Sequence, residues 1–390
     1  MTRVVRLAAT LVLALTVTAC VDWNKGQGLT VIDAHVVRVL EAGDRNPSPT
    51  GLRQPFQRLE IQLDGSLFRG NIEVVEWGGR RALDETGFLR PGDRVLVTES
   101  REGQQRRYAI EEVVRLPNLV PPALLLLAAL LAVGQVKGLA ALAGLASSVA
   151  VFLLAIVPAL QRGGDPLVAT LLGAAGVVTV SVFVVHGPNR KSLAALLGTF
   201  AGLVVVAAVG AFGIVALRIS GFGSEDQVFL AVGTEGRIDM PRLVLAGLIV
   251  GSLGALVDMC VGQASATTEL YAVDPDRDAA ELFRSALNVG RDHIGSLVNT
   301  LALAYFGGAL PLVLLLSLGF QPLSVALNSE EIVGSLLTVL AASVGLVLCV
   351  PITTAISVYL ARRGFLREEA ADDPIVQSAA RSRRQREQRP

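Results

Sequence analysis

The stretch that decides the fold is Leu139–Leu160, LAALAGLASSVAVFLLAIVPAL, which runs for 22 residues without a charged side chain. Six more apolar blocks of this kind lie between Asn118 and the C-terminal tail. They are Leu119–Val136, Leu167–Val185, Leu193–Leu217, Leu243–Ala264, Ile294–Phe320 and Ile332–Ala361. Each block is long enough to cross a ~30 Å hydrocarbon core as a helix, and a backbone in lipid must satisfy its own polar groups. The sequence therefore predicts an α-helical polytopic membrane bundle of about seven spans over residues 117–362.

The overall composition agrees with membrane spans and argues against some classes of binding partner. Hydrophobic residues make up 52% of the chain and charged residues 17%, whereas soluble proteins have about 25% charged residues. Lys+Arg and Asp+Glu are equal at 34 each, and no basic and aromatic pattern occurs, so nucleic acid is not expected as a partner. The three cysteines and three histidines have no zinc-binding spacing, and we predict neither a metal nor a cofactor.

Residues 1–21 have the pattern of an export segment. Arg3 and Arg6 precede the apolar run 7–18, and Val17-Thr18-Ala19-Cys20 resembles a bacterial lipoprotein cleavage box. Two interpretations stay open: cleavage with lipidation of Cys20, or an uncleaved anchor helix in which Cys20 has no role. Either one exports the residues that follow.

Residues 22–116 alternate between apolar and polar side chains in short runs. Examples are Ala34–Leu40 and Gln57–Leu63, and turn signals such as Asp64-Gly65 and Pro91-Gly92-Asp93 separate the runs. Alternation of this kind, interrupted by turns, predicts about five short antiparallel strands in a small barrel or sandwich. We therefore expect a small all-β extracytoplasmic domain in front of the bundle.

The basic residues predict the orientation, because they concentrate in short loops on the inner side of membranes. With the N-terminus inside, the inner loops hold Lys137, Arg190, Lys191, Arg277, Arg284 and Arg291, and the outer loops hold Arg162, Arg218, Arg237 and Arg242. This places the chain in the bacterial inner or plasma membrane, with the β domain outside. The charged tail 363–390 is predicted to be cytoplasmic and disordered.

The fifth block contains the one charged residue within the spans, Asp258. Gly247, Gly251 and Gly254 precede it at helical spacing, which favours close approach of a neighbouring helix. At about 1.5 Å per residue, Asp258 lies ~22 Å from the outer end of this helical block. Because a carboxylate inside a membrane costs at least ~2.5 kcal/mol, it faces the bundle interior or a wet cavity. It is either a cation or proton site or a structural hydrogen-bonding group, whereas Glu269, further along the same face, is better explained as a solvated charge.

A polar stripe opens the sixth block. Asp292, Ser296, Asn299 and Thr300 recur at steps of three and four residues, and His293 is one residue off this face. The stripe suits an ion path, but an interhelical hydrogen-bond network, or an interfacial cap with Asp292 near a helix N-terminus, is favoured.

Motifs that carry enzyme chemistry do not occur in this sequence. The chain has no GxxxxGK[ST] phosphate loop, no H-E-x-x-H zinc pair and no G-x-S-x-G nucleophile elbow. We therefore predict that the protein is not an enzyme and has no catalytic residues.

Several motifs carry a family resemblance. They include Gly236-Arg237-Ile238-Asp239, Gln263-Ala264-Ser265-Ala266, His186-Gly187-Pro188-Asn189-Arg190-Lys191 and, as the most specific, Gly290-Arg291-Asp292-His293-Ile294. With them the chain resembles the YibE/F-like family of bacterial multi-pass membrane proteins over nearly its whole length. The resemblance implies an outside β domain and a helical bundle, and it carries over no activity. It also implies two adjacent acids in the fifth span, where this chain has Val257 before Asp258.

Two functions are compatible with these features. The first is a secondary transporter or permease for a small ion or solute that uses Asp258 and the polar stripe. The second is a non-transporting scaffold, sensor or assembly factor whose β domain binds an extracytoplasmic protein partner. The two differ in where the decisive residues lie, at Asp258 or in the β domain.

Overall fold

The computed structural model describes residues 30–45, 54–64, 70–78, 85–102, 105–319 and 322–365. The chain divides near Gly134 into two compact units. The export segment 1–21 with Cys20, and the tail beyond residue 365, lie outside the described residues. Export, lipidation and a disordered tail therefore stay predictions.

The first unit contains a five-stranded antiparallel sheet in the order β3-β2-β1-β4-β5. The strands of the described part are β1 (Thr30–Arg45), β2 (Gln54–Leu63), β3 (Ile72–Trp77), β4 (Arg94–Glu102) and β5 (Gln105–Val113). The sheet curves enough for β3 and β5 to contact each other. The prediction of about five antiparallel strands is confirmed, and the arrangement is one curved sheet in the manner of a half-barrel.

The inward-facing residues of this sheet are those that the alternation predicts. Leu59, Ile61 and Leu63 of β2 are fully buried, as are Val95 and Val97 of β4, because successive side chains of a strand point to opposite faces. The unit continues into an apolar helix, Leu116–Gln135, which is long enough to span a membrane.

The remaining helices form the second unit, together with the end of α1. They are α1 (Val120–Val151), α2 (Val157–Gln161), α3 (Pro166–His186), α4 (Arg190–Ala216), α5 (Glu225–Gly233), α6 (Met240–Val273), α7 (Ala279–Gly308), α8 (Leu310–Ser317), α9 (Leu323–Leu327) and α10 (Glu330–Leu360). α1 is broken at Gln135, whose φ of 49° and ψ of −128° are not helical. The break separates two candidate spans, Leu116–Gln135 and Gly138–Gln161.

The described residues contain six helices that are long and apolar enough to span a membrane, or seven if α7 and α8 count as one span. α7 and α8 meet at an angle of 68°, and Pro311 near the start of α8 explains why one straight helix does not continue. The predicted block Ile294–Phe320 is therefore a bent pair. An interfacial cap at Asp292 is also wrong, because α7 begins at Ala279 and its N-cap is Asp278.

The core of the second unit lies where α4, α6 and α10 pack against one another. Small residues permit these contacts: an added Cβ at Gly198 of α4 would collide with Thr353 of α10, and one at Gly202 would lie 2.9 Å from Leu256 of α6. Close backbone approach at small residues is the usual way in which membrane helices pack. α7 packs on α6 and α10, and α3 packs on α6, so α6 contacts each of the other long helices from α3 onward.

Candidate functional site

α6 carries Asp258 on a face that the rest of the described unit leaves largely uncovered. Asp258, Gly247 and Gly254 are exposed, and a Cβ added at either glycine would meet nothing within 4 Å. The prediction that these glycines admit a closely packed helix is wrong for Gly247 and Gly254. At Gly251 the neighbour is a side chain, the Tyr305 hydroxyl, 2.5 Å from the added Cβ position.

A crevice of about 670 Å³ lies on one side of Asp258, between the end of α1, α3 and α6. Its walls are mostly apolar. Apart from Asp258, the polar side chains that line it are Ser148, Ser181 and His186. His186 is the last residue of α3. The sequence around this histidine predicts no role for it, because its place in the crevice depends on packing between helices that are remote in sequence.

A second, smaller cavity of about 230 Å³ lies between α6 and α7, and it also borders Asp258. His293 and Gln263 contribute its other polar side chains. The small residues Gly262 and Ala266 form part of its wall on α6. Asp258 therefore borders two cavities. The structure brings Asp258 and His293 to one cavity.

The rest of the predicted polar stripe does not join that cavity. Asp292, Ser296 and Asn299 are exposed on α7, and the hydrogen bonds shown at this stripe in the described residues stay within α7. Thr300 Oγ1 donates to the Ser296 carbonyl at 2.9 Å, and His293 Nδ1 lies 3.3 Å from the carbonyl of Val289, four residues earlier. The stripe is thus a polar helix face, and an interhelical network at these residues is not seen in the described part of the chain.

A buried polar clamp holds α6, α7 and α10 together beside the small cavity. The amide nitrogen of Gln263 donates to the Ala286 carbonyl at 2.8 Å and is 2.6 Å from Thr354 Oγ1, and Thr354 in turn donates to the carbonyl of Val350. Sequence reasoning missed this clamp. The signal was present, because Gln263 is the one amide side chain in the block Leu243–Ala264.

Charged contacts at the start of α6 lie at the opposite end of this helix from Glu269. Asp165 caps α3 by accepting from the N–H groups of Leu167 and Val168, and its carboxylate pairs with Arg242. The Val168 N–H and the Arg242 guanidinium hold the pKa of Asp165 below its usual value. Glu269 is exposed on α6 and borders neither cavity at Asp258.

These features define a class of protein, a multi-pass α-helical membrane protein with a half-barrel β unit near its N-terminus. A family model described as YibE/F-like protein matches residues 123–363, so the chain belongs to the YibE/F-like family. No curated protein and no solved structure is similar to the chain at a significant level. The family membership fixes no activity.

Proposed function

We propose that this protein is a secondary transporter or permease for a small cation, a proton included, and that Asp258 binds the cation within the membrane. The observation that carries the proposal is the position of Asp258 on the wall of two cavities, one toward α1 and α3 and one toward α7. A group that binds a passing ion has to be reached from more than one direction.

The electrostatics of the spans favour a cation. Asp258 is the charged residue of the block Leu243–Ala264, and neither cavity is lined by a lysine or arginine of the described residues. A carboxylate in this position attracts a positive ion and repels an anion.

The two histidines beside Asp258 suggest how a proton reaches it. His293 borders the small cavity and His186 borders the larger crevice, and the imidazole ring can both donate and accept a proton. If the cation is a proton, these side chains would relay it to and from Asp258, one through each cavity.

The test is a transport measurement on the reconstituted full-length protein. Wild type, Asp258→Asn and Asp276→Asn would be placed in liposomes on a solid-supported membrane, and currents recorded after jumps in Na⁺, K⁺ and Mg²⁺ and after a pH step. Asp276 is exposed between α6 and α7 and borders neither cavity, so it controls for loss of one negative charge.

We expect a current for at least one cation in wild type and in Asp276→Asn, and none in Asp258→Asn. A current that survives in Asp258→Asn would contradict the role of this carboxylate. No current from wild-type protein over the whole panel, with all three proteins monodisperse in detergent, would contradict transport of these cations.

A second candidate is a non-transporting scaffold or sensor, and exposed apolar residues of the β unit favour it. Ile72 and Val74 of β3 are 57% and 50% exposed, at an edge of the sheet order. Apolar side chains exposed together at a protein surface mark sites of contact with other proteins. Two results together would favour this candidate. A photo-crosslinking amino acid at Val74 would capture one partner protein in cells, and Asp258→Asn would leave the growth of these cells the same as with wild type.

A further inference from the structure

A second pair of cavities lies away from Asp258, at the opposite end of α7 from its N-cap. One is apolar, has a volume of about 600 Å³ and lies between the end of α7, α8, α9 and α10. Phe306, Leu312, Leu316, Leu336 and Val339 are among its walls. Its volume is within the ~300–1,000 Å³ of pockets that hold small molecules.

The other cavity of this pair is polar, and it adjoins the first. It has a volume of about 370 Å³, and Tyr305 and Ser335 line both cavities. Its remaining polar walls come from the start of α5 and the start of α10. We call the two together the Tyr305 crevice, which has an apolar arm and a polar arm that meet at Tyr305 and Ser335.

The polar arm carries negative charge. Glu330 and Glu331 line it, and no lysine or arginine of the described residues does. The Glu330 carboxylate is already bonded, because it accepts from Ser220 Oγ and from the N–H groups of Gly221 and Phe222. The Glu331 carboxylate accepts no hydrogen bond shown among the described residues, which leaves it available to a ligand.

The apolar arm is open at the surface of the described helices, and two apolar residues that line it are exposed. Val313 of α8, which lines it, is 44% exposed, and Leu323 of α9 is 62% exposed. A molecule with a hydrocarbon chain can therefore enter sideways from the lipid.

We propose that the Tyr305 crevice binds a cationic amphiphile, a molecule with a hydrocarbon chain for the apolar arm and a protonated amine for Glu331. An anionic headgroup is disfavoured because it would meet two carboxylates without a compensating cation. This site shares no lining residue with the cavities at Asp258. A test of ligand binding in the Tyr305 crevice is therefore independent of transport through Asp258.

The experiment uses an aliphatic primary amine with a diazirine on its chain, added to the full-length protein in phosphatidylcholine vesicles and photolysed. Labelled peptides would be identified by mass spectrometry, with oleylamine and oleic acid as competitors. Glu331→Gln removes the carboxylate, and Val313→Trp fills the exposed mouth of the apolar arm. Asp226→Asn on α5 is the matched control, because Asp226 is exposed and lines neither arm.

We expect labelling on the peptides of α7, α8 and α10 that line the apolar arm, with competition by oleylamine and not by oleic acid. Glu331→Gln should weaken the competition about tenfold, which corresponds to about 1.4 kcal/mol. Val313→Trp should reduce labelling at these peptides, and Asp226→Asn should leave both results unchanged.

Three results would overturn the proposal. Equal competition by oleic acid, or an unchanged affinity in Glu331→Gln, would remove the preference for a cation. Labelling spread evenly over the lipid-facing helices would mean that the crevice selects nothing. A crosslink between two copies of the chain through α8 would mean that a second protomer covers the apolar arm.

Discussion

The contact between Gly290 and the Gln263 clamp makes the sharpest prediction about stability. Gly290 is buried on α7, and a Cβ added there would lie 2.5 Å from Val350 Cγ1 and 2.6 Å from Gln263 Oε1. Val350 is itself fully buried, and Gln263 is held by its bonds to Ala286 and Thr354. Neither neighbour can move aside without disturbing other contacts.

The magnitude of Gly290→Ala follows from three effects. Overpacking of a buried site costs about 1–3 kcal/mol. Displacement of the Gln263 amide weakens hydrogen bonds worth about 1 kcal/mol. Replacement of a helical glycine by alanine stabilises the helix by roughly 1 kcal/mol. The free energy of unfolding should therefore fall by about 1–3 kcal/mol.

Gly295→Ala is the matched control on the same helix. Gly295 is exposed, and an added Cβ there would meet nothing within 4 Å, so only the gain in helix propensity remains. The two alanine variants should differ by about 2–4 kcal/mol in the free energy of unfolding. Titration of both purified proteins from mild detergent into SDS, followed by circular dichroism, measures this difference.

A double variant tests the cause. Gln263→Ala removes one of the two side chains that the new methyl group would strike, so Gly290→Ala should cost less in that background, by about 0.5–3 kcal/mol. Equal unfolding midpoints for Gly290→Ala and Gly295→Ala would refute the reasoning. Strict additivity in the double variant would mean that Val350 alone opposes the methyl group.

Three further predictions concern other parts of the chain. Gln57→Leu should destabilise the β unit by about 1–3 kcal/mol, measured by urea unfolding and tryptophan fluorescence, because buried Gln57 donates to the Leu89 carbonyl and accepts from the Leu89 N–H. The pKa of Asp165 is lowered by a main-chain N–H and by Arg242, so the ionised carboxylate stabilises the folded state. This stabilisation is present above the unfolded pKa of about 3.9 and is lost as the pH falls through the pKa of the folded state. Thermal melts of wild type and Asp165→Asn should therefore converge below pH 4. Glu330→Gln should speed hydrogen exchange at Ser220–Phe222, because the carboxylate of Glu330 bonds this segment; unchanged exchange would show that the segment is held by other contacts.

The sequence was sufficient to predict the long elements, because membrane spans are specified by length and lack of charge alone. Each predicted block from Leu119–Val136 to Ile332–Ala361 corresponds to a helix or a bent pair. The bend between α7 and α8 escaped prediction, because the block Ile294–Phe320 is uncharged throughout and therefore predicts one span. Gly307, Gly308 and Pro311 are its local signal, but such residues also occur in straight membrane helices.

The helix ends were less predictable than the spans. The stretch 267–292 reads as a polar loop by charge, yet α6 continues to Val273 and α7 begins at Ala279. Tyr271 and Leu282 pack together with Val358 of α10, so this stretch is helical because it has an apolar face of its own. A count of charges does not detect such a face, whereas the 3.6-residue period does.

The candidate site was predictable as a set of residue types and not as a set of neighbours. Helical spacing placed Asp258 and the glycines on one face of α6, and the structure has them on one exposed face. Whether a helix covers that face depends on how α3 and α7 pack on α6, and one helix's sequence does not contain this information. His186 was missed for the same reason, since it reaches the crevice from a helix that ends 72 residues before Asp258.

The polar groups of the second unit fall into two sets, and the contrast between them is an argument for function. Gln263, Thr353 and Thr354 are buried, and each bonds to another helix, as expected for groups that hold a bundle together. Asp258 is exposed, accepts no hydrogen bond shown among the described residues and borders two cavities. A carboxylate costs at least ~2.5 kcal/mol in a membrane, and no contact in the described chain offsets this. Water, an ion or a second chain must therefore meet Asp258 in the bilayer, and the Asp258→Asn currents decide whether an ion is what meets it.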